Sequence, residues 1–577
     1  MTTLDSRAAA IVQKALLVCL SALAALAVAD AADSIRAAAS ANLVGTDSWP
    51  TYSGDYSGRR FSTVAQINPS NVKNLTLAWA AHVAGGADTA GSGPFAPPAP
   101  PTIVGGEVAE AVVTGGIFSS AAPISVRGSI LQVNGVLYAS APDNAWAIDA
   151  RTGTVIWHYY WKTKGGTHTA NKGLGLYGEW LFMETADDYL VSLDARTGQE
   201  RWHKETASFK EQFFSEAAPL VVGNHVLVGA GNDSDEAGAL RSFDPRTGEL
   251  QWTFHTVPMK SGDTGLSSWP DLDAARQGGG NVWLTGSYDP ETHLYLFGTG
   301  NPSPAYVPGG REGDNLFTCS LIAVDVETGK MAWHYQTSPH DTHDWDSAQT
   351  PVLVDGEFAG RPRKLVLQAT RNGHFFVLDR VTGEHLLTSR FAKWGKWVKE
   401  INSQGQPIRD PAKDASVAGS LVSLNGWTNW PPPSFSPQTG LFYVRDLESY
   451  GLLYYTEKDP RGAKGLGGIA KGGQMSLGSA IEAIDYRTGR IAWERSFGPG
   501  QGMLGALGTG MLSTAGGILF AADAGENFVA FDARNGEPLW HSRLHGVSNA
   551  AETYTLDDRQ YVIVAAGDMI YAFALYE

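Results

Sequence analysis

The sequence predicts an all-β protein, an eight-bladed β-propeller with tryptophan-docking motifs. Three observations carry that expectation: a hairpin motif recurs along the chain, its spacing suits a four-stranded unit, and the 577 residues include 67 Gly and 18 Trp. The motif is a hydrophobic strand, an Asp, two residues, Thr-Gly or Asn-Gly, three residues and a Trp. It occurs as AIDARTGTVIW (Asp149 to Trp157), SLDARTGQERW (Asp194 to Trp202), SFDPRTGELQW (Asp244 to Trp252), AVDVETGKMAW (Asp325 to Trp333), AIDYRTGRIAW (Asp485 to Trp493) and AFDARNGEPLW (Asp532 to Trp540). VLDRVTGEHLL is a degenerate copy with Leu387 at the Trp position, and LTLAW, ending at Trp79, reads as the tail of an eighth.

Each part of the motif has a physical reason. The Asp accepts amide hydrogen bonds within the turn, Gly supplies the positive φ of a tight reversal, and the Trp faces a neighbouring unit. Most spacings, about 45 to 54 residues, match one four-stranded blade, and the gaps near 80 and 106 leave room for insertions. Residues 84 to 121 (rich in Gly, Ala and Pro) and 396 to 418 (polar, without strand alternation) read as excursions from a blade. The Gly-rich stretch from Gly462 to Gly473 lacks a phosphate-loop ending and reads as a connection.

Before the repeats, Arg7 and Lys14 precede an apolar run from Ala15 to Ala29 and small residues ending at Ala32. That is the pattern of a cleaved secretory signal over 1–32, with the propeller over 33–577 and a periplasmic destination. The run is shorter than the roughly 20 residues needed to cross a bilayer, so no stable membrane span is expected. Beyond it the only cysteine is Cys319, which leaves no intramolecular disulfide, and no Cys-x-x-Cys-His marks a built-in haem. The formal charge of −16 argues against nucleic acid as a partner and favours basic ones.

Polar residues that the repeat does not explain are the candidates for chemistry. SPHDTHDWDSAQTP gathers Asp341, Asp344 and Asp346 with His340 and His343. In an extended segment Asp344 and Asp346 point to the same side and could chelate a hard cation, with Asn301 of GTGNPSP as a further oxygen donor; a solvated acidic loop is the alternative. The histidines show no metal or triad spacing and read as structural. Trp283, outside the docking positions, suggests either a stacking floor for a planar ligand or core packing.

These residues resemble the PQQ-dependent (pyrroloquinoline quinone) alcohol dehydrogenases, the quinoprotein family. The likeness begins at Trp49 and YSGDYSGRRFSTVAQINPSNV and extends to QYVIVAAG near the C-terminus. It implies Asp344 as the catalytic base, Asn301 as a metal ligand and Trp283 as the floor under the quinone. It also implies cofactor contacts from Lys172, Thr185, Arg371, Asn429 and Trp430, with Arg371 stabilising charge on the reacting oxygen. Asp346, an acid two residues after the base, resembles the lanthanide-using branch and favours a lanthanide over Ca2+, because an added carboxylate offsets a third positive charge. Asp233 is the choice for the remaining carboxylate ligand over Asp235 and Glu236.

The family's adjacent Cys-Cys pair is replaced by Gly166 and Thr167, its Asn-Arg-Gly by Asn171, Lys172 and Gly173, and a late Trp by Gly508. The resemblance implies an exported enzyme that oxidises a small alcohol to an aldehyde or ketone and passes electrons to a separate acceptor such as a soluble cytochrome c. A non-enzymatic assembly scaffold and a sugar dehydrogenase on the same fold are the alternatives.

Overall fold

The computed structural model describes residues 48–86, 101–106, 124–166, 170–211, 213–214, 216–232, 236–393, 397–423, 426–455, 469–498, 509–544 and 546–576. The proposed signal over 1–32, Thr167, Asp233, Asp235 and Gly508 lie outside these residues. Among them, the strands form eight sheets of four or five strands and one two-stranded sheet, an all-β, propeller-like arrangement. Among the described residues, helix occurs only in short pieces such as Leu272–Arg276, which Asp271 caps by accepting from the Ala274 amide.

The recurring motif builds the same hairpin each time. At Asp149 the carboxylate accepts the Arg151 and Thr152 amides at 2.9 Å, and the Gly153 amide returns to the Asp149 carbonyl. Each docking indole then reaches into the turn of another sheet. Trp79 donates to the Ala150 carbonyl, Trp157 to Ala195, Trp252 to Val326, Trp333 to Arg380, Trp493 to Ala533 and Trp540 to Leu75. Trp202 lies against Gly248, and Leu387 fills the corresponding place against Gly489. For Trp79, Trp157, Trp252, Trp333 and Trp493 the acceptor is the residue after a motif Asp, so the same bond joins one sheet to the turn of another five times.

The strand Leu75–His82, which carries Trp79, pairs antiparallel with the C-terminal strand Met569–Leu575. Phe61–Ser62 pairs in parallel with Leu512–Thr514. Between these ends, buried Arg60 donates to the carbonyls of Tyr52, Met511 and Ala551 and pairs with buried Glu552 at 3.0 Å. Thr102–Gly105, inside the first predicted excursion, adds a fifth strand in parallel to Val155–Trp161. The second excursion contains more order than its polar composition suggests: Val398–Ile401 pairs with Pro407–Arg409. Residues 469–473 of the Gly-rich stretch belong to the strand Ile469–Asp485 rather than to a connection. With Leu441–Tyr455 that strand makes a hairpin longer than those of the other sheets. No helix among the described residues is long and apolar enough to cross a membrane.

Candidate active site

The site forms where several sheets end in turns without the repeat motif. Arg371 follows the strand Arg361–Ala369, Asn301 follows Leu294–Gly298, and the Asp341–Asp346 segment precedes Val352–Phe358. A rigid aromatic block backs that segment. Trp345 is buried, stacks on His343 at 4.0 Å and packs against Trp397 and Trp427 at 4.3 and 5.5 Å. Asp341 closes the turn by accepting the His343 and Trp345 amides, and buried Arg311 donates to the Asp341 carbonyl. Burial raises the Asp341 carboxyl to about 6 and lowers the His343 imidazole to about 4. Both side chains are buried in the packing of this segment.

Asp344 and Asp346 do converge, but not through an extended backbone: Asp344 has φ +64°, in the left-handed region. The two carboxylates are brought together instead by the fork of Arg371, whose guanidinium donates to Asp344 at 3.0 Å and to Asp346 at 2.8 Å. Burial alone would lower the Arg371 pKa, but the two carboxylates hold it above the ordinary arginine value. Asp346 also accepts the Asn301 amide at 2.7 Å and the Trp283 indole N–H at 3.0 Å. Asp344 also accepts the Tyr306 hydroxyl at 3.3 Å. The Asp346 side chain is 4% exposed and that of Asp344 17%, so Asp344 is the more accessible acid.

Lys172 extends the network. Its ammonium lies 5.9 Å from the Trp283 ring centre and 4.5 Å from that of Trp430, and pairs with Glu216 at 3.4 Å. Asn429 accepts the Trp430 amide. Thr185 is directed elsewhere: its buried hydroxyl donates to Asp187 and accepts the Tyr189 amide. Of the residues singled out in the sequence, Trp283, Asn301, Asp344, Asp346, Arg371, Lys172 and Trp430 thus form one connected group.

Tyr306 and Glu216 were not foreseen. Tyr306 lies five residues after Asn301 in a segment without strand periodicity, and Glu216 is a lone acid in the apolar run FFSEAAPLVV. That isolated charge among core formers was the available signal. Burial, reinforced by the Asp344 charge, pushes the Tyr306 phenol well above its ordinary value, so it serves as a donor to Asp344.

The donor set suits a planar polyanion and a hard cation. The half-buried Trp283 indole has the Lys172 ammonium near its ring and shares the Asp346 carboxylate with Arg371, so a flat face sits beside positive charge. The Asn301 Nδ2 is committed to the Pro302 carbonyl, which leaves the amide oxygen as the atom for a cation beside the two carboxylates. Among the described residues, no group of three or more His, Cys, Asp or Glu could hold a metal.

The family model for the PQQ-dependent glucose/ethanol/alcohol dehydrogenase β-propeller domain matches residues 49–420 and 478–562. The chain is 32% identical to a quinohemoprotein alcohol dehydrogenase of Comamonas testosteroni, an alignment spanning 91% of this chain and 73% of that protein. It is 30% identical to the quinoprotein alcohol dehydrogenase PedH of Pseudomonas putida, over 88% of this chain and 84% of that protein. The crystal structure of the Comamonas testosteroni enzyme superposes with a TM-score of 0.78 at 29% identity, covering 94% of this chain and 82% of that one. A europium-containing methanol dehydrogenase superposes with a TM-score of 0.76 at 25% identity, covering 92% and 99%. The fold, the network around Arg371 and these likenesses agree: the chain belongs to the PQQ-dependent (quinoprotein) alcohol dehydrogenase family.

Proposed function

We propose that the protein oxidises a small alcohol to an aldehyde or ketone, with PQQ over Trp283 and one metal ion beside Asp344, Asp346 and Asn301. The observation that carries this is the Arg371 fork across Asp344 and Asp346, with Trp283 donating to the same Asp346 carboxylate. A base, a cation and a flat aromatic face meet there. When bound, the quinone supplies a two-electron acceptor and the metal a Lewis acid. The chain's residues do the rest. Asp344, the accessible carboxylate, takes the proton of the substrate hydroxyl as general base. Arg371 keeps that carboxylate aimed and places positive charge where the substrate oxygen becomes negative. Asp346 fixes the Trp283 ring by its indole bond. Lys172 and Arg371 hold cofactor carboxylates, and Asn429 and Trp430 line the cofactor side. Asp233 supplies the remaining metal carboxylate, and the extra acid at 346 favours a lanthanide over Ca2+.

The eight sheets are read as eight blades, because the docking contacts run from sheet to sheet and Trp540 returns to Leu75 on the sheet that carries Trp79. Residues 1–32 act as the export signal, the mature propeller works in the periplasm, and electrons leave to a soluble, basic cytochrome c steered by the −16 charge. The test is reconstitution of the purified chain with PQQ and either Ca2+ or a light lanthanide, followed by dye reduction over an alcohol panel. Activity with the lanthanide, lost in Asp344→Asn, is expected; absence of quinone binding with both metals overturns the reading.

A further inference from the structure

The Lys172 side chain is held by an unusual set of neighbours. Its ammonium lies between two half-buried indoles and 3.4 Å from the Glu216 carboxylate, with both charged side chains almost wholly buried. The backbones are locked as well: the Lys172 amide donates to the Glu216 carbonyl at 2.9 Å, and the Lys172 carbonyl accepts the Ser129 amide at 2.8 Å. Asn171 braces the same turn by accepting the Gly173 amide and the Ser140 hydroxyl. A buried ion pair is seldom the most stabilising way to fill such a space, so its presence asks for a use.

We infer that Glu216 is a positioning residue for cofactor binding: it fixes the Lys172 ammonium between Trp283 and Trp430, where it meets a carboxylate of a planar quinone. This deepens the cofactor reading above and rests on it. The physical need comes from the lysine. An arginine keeps its charge when buried and aims five donors in a rigid fork, whereas a lysine is a point charge on a flexible stem that burial tends to neutralise. Here burial lowers the Lys172 pKa, the nearby Arg127 charge lowers it further, and Glu216 opposes both. Arg127 and Glu216 are the charged groups that face the ammonium from the segments packed against it. Without Glu216, Lys172 would give up its proton at a lower pH and would lose its direction.

The experiment uses the full chain and two fluorescence readouts. The first follows quenching of tryptophan emission by added PQQ between pH 6 and 9.5, in the wild type, Glu216→Gln, Glu216→Asp and Lys172→Met. The second follows the pH dependence of emission without PQQ, as the difference from Lys172→Met. Glu216→Gln is expected to lower the pH at which PQQ affinity collapses by about one unit, which is a loss of about tenfold at a fixed alkaline pH. Near pH 6 its affinity stays close to wild type, Glu216→Asp recovers most of the loss, and Lys172→Met is weak throughout. The Lys172-dependent emission change in cofactor-free protein should shift down by the same amount. Superimposable emission profiles for wild type and Glu216→Gln overturn the inference, whether or not PQQ binds. A shifted emission profile in a protein that PQQ fails to quench supports the positioning role and sinks the cofactor reading.

Discussion

The strands Arg361–Ala369, His374–Asp379 and His385–Arg390 turn twice, and the two turns have opposite characters. At one, Asp379 accepts the Val381 and Thr382 amides, and the Trp333 ring lies over Gly383. This is the motif turn, repeated almost bond for bond around the molecule. At the other, Asn372 accepts the Thr370 hydroxyl and the His374 amide and donates to the Thr337 carbonyl, holding Arg371 toward Asp344 and Asp346. Among the described residues no other sheet repeats it. One end of the hairpin carries the bonds that join sheets, and the other carries the charged network proposed as the active site. Repetition fixes the scaffold, and the site lies where repetition stops.

That division can be broken from the chemical end first. Asp344→Asn keeps a hydrogen-bonding side chain for Arg371 but removes the proton acceptor. Its turnover in reconstituted enzyme should fall about 10²- to 10⁴-fold, with the thermal midpoint close to wild type because no docking contact is touched. A parallel collapse of the midpoint would show that the two ends are not separable. From the scaffold end, Trp333→Ala empties a buried slot and leaves the Arg380 carbonyl without its indole donor. Denaturant titration should show a loss of about 3–5 kcal/mol, while the kcat of the folded fraction stays near wild type.

A smaller change sharpens the same point. Gly383 has φ +75°, and a methyl group there would lie 2.7 Å from the Trp333 ring. Gly383→Ala should therefore cost about 1–3 kcal/mol through backbone strain and a displaced indole. The same substitution at Gly360, also at positive φ but in open space, should cost less. Equal losses at both would mean that the backbone conformation alone, rather than the docked ring, decides the cost.

These contrasts also explain what the sequence revealed. The docking turns were legible because the Asp-to-Trp spacing recurs, and even Leu387 was placed correctly by register. Asp344, Asp346, Asn301 and Arg371 were legible as departures from that register together with family likeness. The way they meet was not: the left-handed Asp344 and the bridging guanidinium are products of packing between distant segments. Tyr306 and Glu216 were missed for the same reason, since each acquires meaning only from a residue more than thirty positions away in the chain. The order in residues 398–409 escaped because two short polar strands carry no alternation strong enough to read.

The hairpin formed by Leu441–Tyr455 and Ile469–Asp485 adds a case between the two ends. Val444 pairs with Glu482 and Asp446 with Ala480, so Asp446, Glu448 and Glu482 share the face that packs on the preceding sheet. Asp446 and Glu482 are fully buried, and Asp446 lies against the Glu448 carboxyl. Tyr450 donates to Glu448 at 2.6 Å, and Lys393 pairs with Glu494 beside them. Burial and the neighbouring acids push Asp446 well above the ordinary carboxylate range. Burial, helped by Glu494 and opposed by Lys393, raises Glu482 from 4.5 to about 8.

The folded state therefore holds protons that the unfolded chain releases. The stability gained from the neutral Glu482 is fully present below about pH 4.5 and is lost as pH rises through about 8. Glu482→Gln imitates the protonated acid and removes that dependence. Its stability should match wild type near pH 4.5, where the effect is smallest, exceed it progressively as pH rises from about 5 to about 8, and hold a constant advantage above that in denaturant titrations. The docking ring and the Asp344 site contribute nothing to this difference, so kcat at pH 7 should be unchanged. A variant whose stability falls with pH as steeply as the wild type would place the alkaline weakness elsewhere, with the buried Asp188, raised to about 8 chiefly by burial, as the next group to replace.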